Sequence, residues 1–404
     1  MNHHSPFLFS TGIENSYPTI STGRRIDQMD KCGHYDRWEE DFQLVRDLGL
    51  NALRYGPAYY RTHPAPNRFD WSSADEPMHR LRELGIEVIA DLCHFGVPEW
   101  LENFQNDAFP AQFARYAGAF ARRYPWVRYF TPVNEIFVCA HFSALRGWWN
   151  ECAHDDRSFV RALRNMCMAH ELAVEAIMRE RPDAVIVQAE SVEHFHAMGR
   201  ESQREADHMN EVKFLSLDLT LGRALSPDMT SFLTRNGMSP EDLTFFRGTR
   251  VPDQRWIGLD YYPTCEYHVA STGRRTTNWG GHGFRHLAAE YHARYRKPLF
   301  HCETNRISRY AVDWLAEQWA DIQALRTSGI PVTGFTWFSL TDQIDWQHVL
   351  RVEQNDLHPV GLFDLGRKIR PVGTAYRELI AGERMREDAA ALTEYAAEER
   401  LVSV

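Results

Sequence analysis

Nowhere in the 404 residues is there an uninterrupted apolar run of about 18, the length a membrane-spanning helix needs. Residues 1–6 carry neither the basic segment nor the apolar segment of a secretory leader. No two cysteines stand at CxxC or zinc-ribbon spacing. The seven that exist are scattered and odd in number, which argues against a disulfide framework and for reduced thiols in a cytoplasm. Positive charge is also short: 45 Lys and Arg against 55 Asp and Glu give a net charge of −10, unsuited to a nucleic-acid surface. No linker rich in proline, glycine or serine divides the chain. What it has in quantity is apolar residues, at 44%, enough for a full globular core. Aromatic residues make up 13%, and such rings can fill a core or stack on the C–H face of a sugar.

Short apolar runs alternate with amphipathic stretches along the whole chain. Strands are expected over 7–11, 51–55, 87–91, 127–135, 184–188, 256–262, 297–303 and 331–337. Helices are expected over 38–48, 77–84, 111–123, 158–181, a stretch before the 297–303 strand, 312–325 and 374–380. Gly49 and Gly85 stop the first two. Residues 190–255 read as less regular, with two short helices and turns at Ser226-Pro227 and Ser239-Pro240. Alternation of this kind implies a parallel sheet, and eight repeats imply a closed barrel. The expected fold is therefore α/β: a single (β/α)8 TIM barrel over 1–380, with a charged helical tail over 381–404.

In such a barrel the first polar residues after each strand converge on one mouth. They are Glu14 and Asn15, Arg54, His94, Asn134 and Glu135, Glu190, Tyr262, Glu303 and Trp337. Glu135 ends the run Val127-Arg-Tyr-Phe-Thr-Pro-Val-Asn-Glu135, and Glu303 ends Lys297-Pro-Leu-Phe-His-Cys-Glu303. A lone glutamate is most often a surface salt bridge. Two at one barrel mouth, gathered with Arg, His and Tyr, are the equipment for breaking a glycosidic bond. One protonates the leaving oxygen and the other attacks the anomeric carbon.

Several stretches carry a resemblance. Tyr35-Asp-Arg-Trp-Glu-Glu-Asp-Phe, Asn51-Ala-Leu-Arg54, Leu92-Cys-His94-Phe-Gly-Val-Pro, Thr131-Pro-Val-Asn134-Glu135, Ile257-Gly-Leu-Asp-Tyr-Tyr262 and Phe338-Ser-Leu-Thr-Asp342-Gln-Ile-Asp345-Trp346 occur in that order. Together they resemble the family 1 glycoside hydrolases, the β-glucosidase family of retaining barrel enzymes, from about Phe7 to Ile380. The resemblance implies a retaining β-glycosidase working through a covalent glycosyl-enzyme, with Glu135 as proton donor and Glu303 as nucleophile. It assigns Asn134 to the sugar 2-hydroxyl, and Arg54 and Tyr262 to the flanks of the nucleophile. His94, Asp345 and Trp346 would contact the non-reducing sugar, with Glu14, Asn15 and Trp337 also facing substrate. No metal and no cofactor are implied. The expected partner is a small glycoside or an oligosaccharide, with no nucleic acid or membrane, and a homo-oligomer is left open.

The departures from the family pattern fall in the sugar-gripping set. Pro18 stands where a glutamine is usual, Gln343 replaces an asparagine, Asp345 is a methylene shorter than the usual glutamate, and Glu303 is followed by Thr304-Asn305. A preferred glycone other than plain glucose is expected, with Arg351 available to meet an acidic one. Three alternatives share these residues. A metalloenzyme would use His301 and Glu303 with His94 or His282. A non-catalytic barrel would bind sugar alone. A transglycosidase would pass the glycosyl unit to an acceptor other than water.

Overall fold

The computed structural model describes residues 6–402, with side chains described through Arg386 and at Ala389. Eight parallel strands close into a barrel: β1 Leu8–Gly12, β2 Ala52–Tyr55, β3 Glu87–Asp91, β4 Tyr129–Thr131, β5 Val185–Ser191, β6 Arg255–Asp260, β7 Leu299–Glu303 and β8 Val332–Trp337. β1 closes the ring by pairing with both β2 and β8. The strands are apolar on both faces because both faces are covered. Leu8, Ile89, Tyr129, Val185, Val187 and Phe300 fill the inside. The outside packs against α1 His34–Asp47, α2 Asp75–Glu83, α3 Phe109–Arg123, α4 Asp156–Glu180, α5 Leu215–Thr220, α6 Phe284–Tyr295, α7 Ala311–Thr327 and α8 Pro371–Val402. Each helix follows the strand of the same number, so the chain is a (β/α)8 TIM barrel. Among the described residues no helix is long and apolar enough to cross a membrane.

Two glycines set how closely the backbone can pack, Gly56 at the mouth of the barrel and Gly334 toward its other end. A Cβ on Gly56 would lie 1.6 Å from the carbonyl oxygen of Asp91. One on Gly334 would lie 2.0 Å from the Phe300 ring and 2.7 Å from the Leu8 carbonyl. Gly56 therefore lets the end of β2 lie against the end of β3. Gly56→Ala is expected to destabilise the fold by about 3 kcal/mol, since a backbone carbonyl cannot step aside as a side chain can. A thermal midpoint within about a degree of the parent would contradict this packing account.

The structure departs from the sequence reading between residues 190 and 255. Four helices stand there, Arg200–Val212, α5, Pro227–Arg235 and Pro240–Arg247, instead of two. The expected turns at Ser226-Pro227 and Ser239-Pro240 are helix starts. Each serine hydroxyl accepts the N–H of the third residue on, and each proline sits in the first turn, where its missing N–H costs nothing. A three-stranded sheet of His194–Ala197, Glu266–Val269 and Arg275–Thr277 also rises from the loops after β5 and β6. The expected boundary at 380/381 falls within α8, which continues unbroken from Pro371.

Candidate active site

Arg54, on β2, is the buried centre of the site. Its guanidinium pairs with Glu303 at the end of β7, donates to Asn134 Oδ1 after β4, and lies 3.1 Å from Asp91 Oδ2 at the end of β3. Asp91 in turn holds His94 Nδ1 at 2.7 Å and accepts a hydrogen bond from Asn15. Burial opposes the charge on Asp91, but Arg54 and His94 outweigh it and hold that carboxyl below its usual range. The second oxygen of Glu303 accepts the Tyr262 hydroxyl at 2.6 Å. Glu303 thus receives hydrogen bonds from a cation and a phenol, contacts that favour a negative carboxylate.

Glu135 sits in the opposite electrostatic setting. It opens the helix Ile136–Ala140 at φ 41°, a left-handed conformation uncommon for a residue with a side chain. Burial pushes its carboxyl well above the usual range, and the acids Asp260 and Glu190 add to that, with Arg54 pulling the other way. Glu190 is itself raised to about 7 by burial while accepting the Phe137 N–H at 3.2 Å. Neither oxygen of Asp260 has a hydrogen-bond partner, and burial raises its carboxyl as well. A carboxyl pushed toward its protonated form beside a paired carboxylate is the division of labour that acid–base catalysis at one centre uses.

Both glutamates open into one cavity of about 890 Å³, at the large end of the ~300–1,000 Å³ usual for small-molecule sites. Glu14, His94, Gln343 and Trp346 line one side, from the loops after β1, β3 and β8. Arg146, Glu193, Tyr267 and Arg275 line the other, from the loops after β4, β5 and β6. Gln343 Nε2 donates to Glu14 Oε2 at 2.7 Å, and the Ser16 N–H donates to Glu14 Oε1 at 3.0 Å. The Trp346 indole N–H is buried and has no hydrogen-bond partner among the described residues.

The cavity therefore gathers Glu14, His94, Glu135, Tyr262, Glu303 and Trp346. Arg54 and Asn134 do not line it; they are tied to Glu303, Asp91 and His94. Asn15 braces Asp91 and does not line it either. Trp337 and Asp345 do not face it. The Trp337 indole is spent on the Val360 carbonyl at 2.9 Å. The Asp345 carboxylate accepts the N–H groups of Gln354, Asn355 and Asp356 at 2.9–3.2 Å, because that loop folds back onto the shorter side chain. Arg351 is exposed, 4.8 Å from the Trp148 ring, and lies outside the cavity.

The metal grouping considered from sequence does not assemble. His301 stacks on Phe284 at 3.9 Å and its Nε2 is 3.1 Å from Gln318 Oε1, pointing into the helix layer. His282 instead joins His194 and His196, whose ring nitrogens lie within 4.8 Å of one another, and none of the three lines the cavity. Sequence reasoning also missed several residues of the site. Asp91 and Asp260 were visible as the last residues of their strands. Arg146, Glu193 and Arg275 sit on loop excursions that carry no strand-end signal.

These buried acids make a prediction about stability. Glu190 and Glu193 are each raised to about 7 by burial, and Glu135 is raised as well. These three carboxyls therefore hold more protons in the folded state than in the unfolded chain between about pH 4.5 and 7, and their contribution to stability falls as pH rises through that window. Asp91, held low, contributes the opposite term, but that term is complete above about pH 4. His63, His141, His170, His194, His301 and His358, all pushed down by burial, act in the opposite sense up to about pH 6.5, so the test is differential: a Glu190→Gln, Glu193→Gln variant is expected to lose less stability than the parent, or gain more, between pH 5.5 and pH 8. The same pH dependence of the midpoint in parent and variant would contradict the buried-acid assignment.

A closed parallel barrel with a paired carboxylate and a raised acid in one mouth cavity places this chain among the barrel glycosidases. The model of glycosyl hydrolase family 1 matches residues 17–268, and the protein belongs to that family. That stretch includes Glu135 and Tyr262 and stops short of Glu303. A bifunctional β-D-glucosidase/β-D-fucosidase of Bifidobacterium breve is 31% identical over 162 residues, covering 36% of this chain and 34% of its own. The chain thus spans about a third of that relative in the aligned region. A β-glucosidase of Agrobacterium sp. is 23% identical over 401 residues, covering 87% of this chain and 85% of its own. Among solved structures, the β-glucosidase of Thermotoga maritima in complex with a methoxycarbonyl-substituted glucoimidazole superposes with a TM-score of 0.80. It is 17% identical and covers 93% of this chain and 98% of its own, a likeness of fold.

Proposed function

We propose that the protein is a retaining β-glycosidase that hydrolyses a β-linked glycoside by double displacement. Glu303 attacks the anomeric carbon while Glu135 gives its proton to the leaving oxygen, forming a glycosyl ester on Glu303. Once Glu303 is esterified its negative charge is gone, so Glu135 loses its proton more readily and can deprotonate the water that hydrolyses the ester. His94, positioned by Asn134, is the proposed contact to the glycone hydroxyls, with Trp346 along its face. The observation that carries this reading is the opposite setting of two glutamates in one cavity: Glu303 held by Arg54 and Tyr262, Glu135 buried among acids. Their carboxyl groups are expected to lie about 5–5.5 Å apart; a separation of about 6.5–9.5 Å would indicate inversion instead.

The glycone side supports a sugar other than plain glucose. Glu14 is engaged by Gln343 and Ser16, and Asp345 is committed to its own loop, so two hydrogen-bonding positions of the family pattern are rebuilt. A site built to bond a particular hydroxyl rejects a sugar that lacks it, because buried polar groups are left unpaired. All seven cysteines are free, which fits a reducing cytoplasm. Comparing kcat/KM over aryl β-glucosides, galactosides, fucosides, glucuronides and 6-phosphoglucosides tests both levels. Turnover of none would reject the enzyme, and a wide preference for unmodified glucoside would reject the altered glycone.

A further inference from the structure

The cavity wall opposite Glu14 and Gln343 carries cations that the protein leaves largely unpaired; Arg275 gives one N–H to the Met209 sulfur at 3.4 Å. Arg146 and Arg275 stand there, with Arg306 and Arg309 at the rim from the loop after β7. Among the described residues only Arg275 has a carboxylate within 4 Å, the exposed Glu205 at 3.7 Å. The Nε of Arg146 and the Nε of Arg275 are buried without any hydrogen-bond partner.

Rings hold these side chains in place of acids. The Arg275 guanidinium lies 5.3 Å from the Phe195 ring centre, Arg146 6.0 Å from Trp148, Arg306 5.3 Å from Trp314 and Arg309 4.6 Å from Tyr310. An arginine oriented by a ring keeps its in-plane N–H fork free, the geometry that takes a carboxylate, sulfate or phosphate. The one acid on this wall, Glu193, is raised to about 7 by burial and neutralises the cluster only in part near neutral pH. A positive wall is also against the trend of a chain with net charge −10. A cleft of one sign raises the local concentration of ligands of the other.

We infer that this wall is an anion subsite, and that the natural substrate is a β-glycoside whose aglycone carries a carboxylate, sulfate or phosphate group. The inference rests on the glycosidase reading for which end holds the aglycone. The loops after β1, β3 and β8 lie on the glycone side, and those after β4 to β7 lie across the reacting pair from them.

The test is calorimetric binding of two non-hydrolysable ligands, the 4-carboxyphenyl 1-thio-β-D-glycoside of whichever glycone the substrate panel prefers (the glucoside if none is turned over) and its neutral carboxamide. The carboxylate is expected to bind about 10-fold more tightly, the difference shrinking in 0.5 M salt, as attraction between partly exposed charges does. An Arg146→Met, Arg275→Met double variant is expected to remove the difference while leaving carboxamide binding within about twofold. Because both arginines are half-buried, Arg309→Met at the exposed rim is the second variant, with a smaller loss of the same sign. Equal binding of the two ligands by the parent protein, or measurable binding of neither at millimolar concentration, overturns the inference. Carboxylate-selective binding together with no turnover of any O-glycoside would keep the subsite and reject the glycosidase.

Discussion

Glu303→Ala is expected to lower kcat on an activated aryl β-glycoside by a factor on the order of 10⁴ or more, about 5.4 kcal/mol of barrel-mouth catalysis. The attack is assigned to the Glu303 carboxylate, which Arg54 and Tyr262 hold in place. Removing the side chain also leaves a space the size of a small anion beside an unsatisfied guanidinium. Azide should enter that space, restore a large part of the rate, and give the α-glycosyl azide by a single inversion. A β-configured azide product would show that another nucleophile operates. A variant retaining more than a tenth of parental activity would remove Glu303 from the chemistry altogether.

Glu135→Gln should produce a loss that depends on the leaving group. General acid catalysis contributes about 10²–10⁴, and only where the departing oxygen needs a proton. An alkyl β-glycoside should therefore lose roughly that factor, while formation of the glycosyl-enzyme from a dinitrophenyl glycoside should be nearly unchanged. The parent enzyme should show an alkaline limb, because burial and the neighbouring acids Asp260 and Glu190 hold Glu135 protonated only up to its raised pKa, and activity falls as pH passes it. That limb should vanish from the variant's first step. Equal losses on both substrates, or a limb that persists unchanged, would assign the proton to another group.

Much of the barrel was legible because its signals are local. Strand β3 follows from the run Val88-Ile-Ala, and α1 from Trp38, Phe42 and Val45 at helical spacing, and each unit needs only its own residues to declare itself. The two cavity glutamates were legible for the same reason, since each stands at or soon after the end of an apolar strand. What was not legible depends on contacts distant in sequence. The Asp345 carboxylate looked like a sugar ligand until the loop 354–356 was seen closing on it. Trp337 sits at a strand end, yet its indole finds Val360, 23 residues on, instead of the cavity. The arginine wall is assembled from loops after different strands, and no local periodicity announces which loop tips meet. Residues 190–255 were misjudged because proline was taken as a turn marker where it begins a helix.

The most direct test of a nucleophilic Glu303 is trapping with a 2-deoxy-2-fluoro-β-glycosyl fluoride of whichever glycone the substrate panel prefers. The fluorine slows both steps, and the good leaving group lets the first outrun the second. The account predicts stoichiometric inactivation, a mass increase of one fluoroglycosyl unit, and, after proteolysis, the label on the peptide containing Glu303. Inactivation with the label on Glu135, or full turnover of the reagent with no covalent species and inverted product, would contradict it.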